Sequence, residues 1–195
     1  MGITKNDFLR FIEEKPSERE IVAFIAQDPT LIAEAFANPK EEYIVFKEYV
    51  LDHEHKVDYA VFTDRSRMKV KLIELKGADF NFINADKTFN EKISKAVQQV
   101  RSRFGFISKY PEKFRNDAIK HWQDVESGIQ VFQSIRGEKL ECSPDKVVLY
   151  SGAVIGGLET NEIVESNLKY EMEAGMSPFI KYDSWHSFIR GLRRT

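Results

Sequence analysis

The sequence predicts a three-layer α/β domain built on a mixed sheet, and three observations carry that prediction. Val57 to Phe62 and Lys69 to Leu75 are short runs rich in β-branched and aromatic residues. The polar Asp64-Arg65-Ser66-Arg67 between them suits a hairpin turn. Thr88 to Phe106 repeats Ile93, Ala96, Val97, Val100 and Phe104 at helical spacing. Lys146 to Tyr150 then reads as a further strand beyond a second helical stretch. Helices, a strand meander, and a helical crossing to another strand require helices on both faces of one sheet.

In chain order, a first helix is expected over Asp7 to Glu14, stopping at Pro16. Ser17 and Glu20 have capping-box spacing and open a second helix to about Gln27. Asp28-Pro29-Thr30 opens a third, Leu31 to Ala37. Tyr43 to Tyr49 reads as the first strand, ahead of the two hairpin strands. Thr88 with Glu91 is another capping-box match, opening the long helix. Pro111 to Phe132 is read as an interrupted helix, and Gly152, Gly156 and Gly157 as a flexible loop. A helix over Tyr182 to Leu192 closes the chain.

The 195 residues suffice for one domain with a real core, with residues 1–40 as N-terminal helices and 41–195 as the sheet core. Lys and Arg number 29 against 31 Asp and Glu, so the overall charge of −2 names no partner. A single cysteine, Cys142, excludes an internal disulfide and fits a reducing cytoplasm. No apolar run approaches membrane-spanning length and no leader peptide is evident, so a soluble cytoplasmic protein is expected. His53 and His55 are better read as a solvated approach to a strand than as metal ligands.

The hairpin carries the chemistry. Asp58 and Glu74 lie equally far from residue 66, so a turn centred there sets the two carboxylates opposite each other. Side chains alternate along a strand, placing Asp58 with Ala60 and Phe62, and Glu74 and Lys76 with Val70 and Leu72. Two carboxylates would then sit about 5 Å apart beside an ammonium, among apolar neighbours. Like charges that close need a cation between them, and a divalent metal is the simplest. The bland alternative is an exposed Glu74–Lys76 ion pair, worth under about 1 kcal/mol. Val70 and Leu72 turn that face inward, where an ion pair is a poor stability device.

An Asp on one strand and Glu-x-Lys on the next resembles the signature of the PD-(D/E)xK nuclease superfamily. Over most of its length the chain resembles the nuclease domain of Shedu anti-phage defence proteins. The matching stretches are Glu18 through Pro29, Lys56-Val57-Asp58-Tyr59, Leu72-Ile73-Glu74-Leu75-Lys76, Ala96-Val97-Gln98-Gln99-Val100 and Lys181-Tyr182-Asp183. Two departures stand out. Val22 occupies a position where that family often carries Gln, and the long N-terminal extension of many members is not seen in these residues, which puts any sensing role of that extension in doubt. The resemblance implies a restriction-endonuclease-like core, a central mixed sheet flanked by helices. It implies a metal-dependent endodeoxyribonuclease of anti-phage defence, with phage or plasmid DNA as partner. Asp58, Glu74 and the Leu75 carbonyl would hold Mg²⁺, with Mn²⁺ able to substitute. Lys76 would serve the attacking water, and Gln99 and Glu18 would position Lys76 or a second metal. A homo-oligomer is expected, with no membrane and no nucleotide cofactor.

Two local choices are open to helical phase. Glu20 has work as the partner of Ser17, whereas Glu18 falls in the middle of the stripe formed by Ile21, Val22 and Ile25. Glu18 is therefore the expected site acid, against the plainer reading of a helix-dipole carboxylate. Gln99 lies in a row with Lys92, Lys95 and Arg103, while Gln98 points more nearly away from the core. From Lys87 to Lys120 there are nine basic residues against Glu91, Glu112 and Asp117, which suggests a nucleic-acid face gripped by Lys92, Lys95 and Arg103. A rival from another class is a nuclease-like fold kept as a binding or assembly module without turnover. An RNA-directed nuclease is a third reading.

Overall fold

The computed structural model describes residues 2–37, 42–63 and 67–194. Of the hairpin turn expected at Asp64-Arg65-Ser66-Arg67, the first three residues lie outside them. Three helices lead: α1 (Lys5–Glu13), α2 (Glu18–Ile25) and α3 (Thr30–Phe36). The strands β1 (Tyr43–Val50), β2 (Lys56–Thr63) and β3 (Met68–Leu75) follow. Then come α4 (Glu91–Lys109), α5 (Pro111–Glu126), β4 (Gln133–Arg136), β5 (Val148–Ile155), α6 (Glu162–Glu173), β6 (Ile180–Asp183) and α7 (Trp185–Gly191).

These strands form one six-stranded mixed sheet of order β4-β1-β2-β3-β5-β6. Neighbours from β4 to β3 are antiparallel, and β3-β5-β6 are parallel. The β2–β3 register pairs Tyr59 with Ile73 and Phe62 with Val70, so it is centred on residue 66 as the sequence predicted. Alternation then sorts the two faces. Ala60, Phe62, Val70 and Leu72 pack with Ile93, Ala96 and Val100 of α4 and Trp122 of α5. Tyr59, Val61, Ile73 and Leu75 pack with Phe8, Ile21, Leu31 and Trp185 from α1, α2, α3 and α7. The architecture is therefore mixed α/β, a central sheet between two helical layers.

Several boundaries differ from the sequence reading, each for a physical reason. The α4 helix is capped by Asn90, whose side chain accepts from the Lys92 amide at 2.9 Å. Thr88 is not its cap, because its hydroxyl is 2.6 Å from Asp86 Oδ1 instead. The α5 helix stops at Glu126, whose carboxylate takes Arg136 at 2.9 Å and the Leu140 amide at 2.9 Å, tying the helix end to edge strand β4. Gly152 is no flexible loop residue but lies inside β5. A Cβ there would meet Val100 Cγ1 at 2.6 Å, so glycine lets α4 settle onto the sheet. The closing helix begins only at Trp185, after Ser184 caps it, since Ile180 and Tyr182 are buried strand residues. Helix α6 escaped the sequence reading because Ile163 and Tyr170 face solvent and leave a weak apolar stripe.

Candidate active site

Three elements end at the same place. Strand β3 delivers Glu74 and Lys76 beside Asp58 of β2, and the first turn of α2 reaches the strand end from the opposite helical layer. Gly77 permits that approach, because a Cβ there would sit 3.0 Å from the Glu18 amide nitrogen and 2.4 Å from Asp79 Oδ1. Lys76 Nζ lies 3.1 Å from Glu74 Oε1 and 3.3 Å from Glu18 Oε2. Asp58 Oδ2 accepts the Leu75 amide at 2.7 Å, which locks the two strand ends together. The backbone of Lys76 is fixed as well: its amide donates to the Ile155 carbonyl at 2.8 Å. Its carbonyl accepts the Trp185 indole N–H at 2.9 Å.

The phase argument for α2 places its acids as expected. The Glu20 carboxylate takes the Ser17 amide at 2.8 Å and the Ser17 hydroxyl at 2.6 Å, leaving Glu18 to meet Lys76. From α4, Gln99, Lys92, Lys95 and Arg103 line one pocket of about 720 Å³ with Glu18, Lys76 and Asp79. Gln98 lines it too, so helical phase did not separate the two glutamines.

The basic row is less free than its sequence suggested. Lys92 Nζ is 2.8 Å from Asp79 Oδ2 and stands over the Phe80 ring, and Lys95 pairs with Glu91 at 2.6 Å. Lys113 and Lys120 pair with Asp117 and Asp124 one turn along. Arg103 turns inward: its guanidinium donates to the Lys56 carbonyl at 2.7 and 3.1 Å and approaches Glu74 Oε2 at 3.9 Å.

Burial dominates the electrostatics. It pushes the Glu74 carboxyl up to about 7, and the neighbouring Asp58 charge adds to this, while Lys76 and Arg103 only partly offset it. Asp58 is likewise raised by burial, against the pull of the Leu75 amide and Lys76. For Lys76 burial opposes the charge, but Glu74, Glu18 and Asp58 outweigh it and hold the ammonium above its ordinary value. Asp58 and Glu74 thus bring two oxygen-donor carboxyls, both raised by burial, to one sheet end. Among the described residues no group of three or more His, Cys, Asp or Glu side chains converges as a metal cage.

A family model described as Shedu protein SduA, C-terminal, matches residues 15–188, which span every strand and all these side chains. The chain belongs to that Shedu family. Membership suggests a part in anti-phage defence. No curated protein gives a significant match. Within this Shedu domain the Asp58, Glu74, Lys76 and Glu18 side chains stand together, with Gln99 and Arg103 on the wall of the same pocket. Asp79, Ser102 and Trp185 also belong to the neighbourhood and were missed from sequence. Only Trp185 left a signal, two residues beyond the Lys181-Tyr182-Asp183 match. No helix among the described residues is long and apolar enough to cross a membrane.

Proposed function

We propose that this domain is a Mg²⁺-dependent endodeoxyribonuclease of PD-(D/E)xK type acting in anti-phage defence. The observation that carries the reading is Lys76 held between Glu74 and Glu18, beside a second, half-buried carboxyl, Asp58, at one sheet end. Asp58, Glu74 and the Leu75 carbonyl would hold the ion. When bound, Mg²⁺ (or Mn²⁺) supplies Lewis-acid polarisation of the scissile phosphate and a water of lowered pKa. Lys76 orients the attacking water and offsets charge growing on the phosphate. Glu18 fixes the Lys76 ammonium, and Gln99, on the wall of the same pocket, would position Lys76 or a second metal. Lys92 and Lys95 at the rim exchange their carboxylate partners for DNA phosphates, and Arg103 steadies Glu74 against the start of β2. In-line attack leaves 5′-phosphate ends. The assembly is a homo-oligomer in the cytoplasm.

Plasmid conversion with and without EDTA, for wild type and Lys76→Ala, tests the reading. Wild type should relax or linearise the plasmid only with free Mg²⁺, and Lys76→Ala should be slower by about 10²-fold or more, the scale of a lost positioned proton-handling group. Metal-independent conversion, or equal rates for both proteins, would sink it. Plasmid left intact while still bound would favour the silent binding module, and faster cleavage of a matched RNA would favour the RNA-directed reading.

Glu18→Gln and Glu20→Gln should part company. Glu18→Gln keeps the shape but removes the charge 3.3 Å from Lys76, and cleavage should fall about tenfold or more. Glu20→Gln should stay close to wild type, because Gln still serves a capping box. The reverse pattern in initial rates would show that α2 serves the site through its other acid.

A further inference from the structure

A second hydrogen-bonded array ends on the wall of the same pocket. Asp52 Oδ1 accepts the amides of Glu54 and His55, both at 2.8 Å, which builds the turn between β1 and β2. The same oxygen lies 2.9 Å from His55 Nδ1. The imidazole stacks on Phe106, with centroids 5.1 Å apart and planes 28° from parallel. Its Nε2 points at Ser102 Oγ, 3.4 Å away on α4. The His55 and Asp52 side chains are only 20% and 16% exposed. Ser102 lines the pocket with Lys76, Gln99 and Arg103.

Turn formation alone does not account for this arrangement. The two backbone amides already complete the turn, yet the ring is also clamped by an aromatic face and aimed across 47 residues of sequence at a hydroxyl on the pocket wall. The carboxylate side fixes the tautomer: Asp52 accepts, so Nδ1 carries the hydrogen and Nε2 is left to exchange a proton with Ser102. A nucleophilic serine is the wrong role for this array. Ser102 sits inside α4, where neighbouring backbone amides are bonded within the helix and offer nothing to an oxyanion. The groups facing the imidazole are Asp52, Ser102 and Phe106, and the adjacent Arg103 guanidinium is occupied by the Lys56 carbonyl.

We propose that Asp52, His55 and Ser102 form a proton relay that protonates the leaving 3′-oxygen of the DNA, with Ser102 the group that touches it and His55 the proton source behind. The proposal rests on the nuclease reading and adds what Asp58, Glu74 and Lys76 lack, a donor for the departing side. As the P–O3′ bond breaks, its electron pair goes to O3′, which takes the Ser102 hydroxyl proton. Ser102 Oγ takes the Nε2 proton of the His55 imidazolium, leaving a neutral imidazole with Nδ1–H on Asp52. The attacking water forms the new P–O bond and releases its proton to solvent, which later recharges His55.

The test is single-turnover cleavage, by wild type, Ser102→Ala and His55→Gln, of a duplex carrying sulfur in place of the bridging 3′-oxygen at a bond the wild type cuts. A thiolate leaves without a proton. On the natural bond both variants should be slower by about 10²-fold, the ordinary scale of general-acid catalysis. On the sulfur-bridged bond they should come within about threefold of wild type. Equal loss on both substrates would mean a merely structural role, and no loss on the natural bond would remove the relay; either outcome leaves the nuclease reading standing. A wild type that cuts neither substrate ends both. Nitrogen-15 NMR of His55 supplies a readout free of turnover. The neutral ring should be the Nδ1–H tautomer in wild type and lose that preference in Asp52→Asn, and an Nε2–H ring in wild type would overturn the proposal.

Discussion

Glu74→Ala should abolish Mg²⁺-supported cleavage, with a fall of about 10³-fold, the scale on which one preorganised charge-stabilising group acts. The side chain is 7% exposed, sits on the inward face of β3, and touches both Lys76 and Arg103. Removing it takes away one of the two carboxylates proposed to hold the ion, and it frees the Lys76 ammonium from its nearer partner. The fold should survive. Leu75 keeps its amide bond to Asp58, Lys76 keeps its backbone bonds to Ile155 and Trp185, and one member of a repulsive carboxyl pair has gone. A cooperative thermal transition together with loss of plasmid cleavage and of Mg²⁺ binding by calorimetry is the expected result. Near wild-type cleavage would show that the ion, if bound, is held elsewhere.

Much of this site was legible because it depends on short-range periodicity. The hairpin register follows from two alternating runs equidistant from residue 66, and a register error of one would have sent Glu74 to the other face. The choice of Glu18 over Glu20 follows from three apolar neighbours on one short helix. What was hidden depends on long-range packing. Nothing in a sequence says that Arg103 folds back on the Lys56 carbonyl instead of facing solvent. Nothing says that His55, which reads as a solvated residue at a strand end, meets Ser102 on a distant helix. The missed strands β4 and β6 have four residues each, too short to show alternation, and they exist because longer neighbours supply their hydrogen bonds. Also hidden was how the long basic stretch is paired, with i,i+4 carboxylates meeting Lys95, Lys113 and Lys120 locally.

The metal-free protein should lose stability as pH rises toward neutrality, and Glu74→Gln should remove most of that loss. Burial and the Asp58 charge raise the folded-state Glu74 carboxyl from an ordinary 4.5 to about 7. Between those values the folded chain holds a proton that the unfolded chain has released, so the slope of unfolding free energy against pH is negative there. The stabilising contribution is complete below the unfolded value near 4.5 and is gone once pH passes the folded value near 7. A displacement of that size corresponds to about 3 kcal/mol at most. Asp58, raised in the same direction, contributes a slope of the same sign, whereas Lys76, raised above its ordinary 10.5, contributes a constant amount across this range. Glutamine keeps the side-chain shape without the titration. Urea midpoints with EDTA present should therefore fall from pH 4.5 to pH 8 in wild type and run flatter in Glu74→Gln. Mg²⁺ should counter the wild-type loss increasingly as pH rises, because its ligands must be ionised to bind it. Parallel pH profiles for the two proteins would place the raised carboxyl elsewhere and remove the electrostatic basis for the metal site.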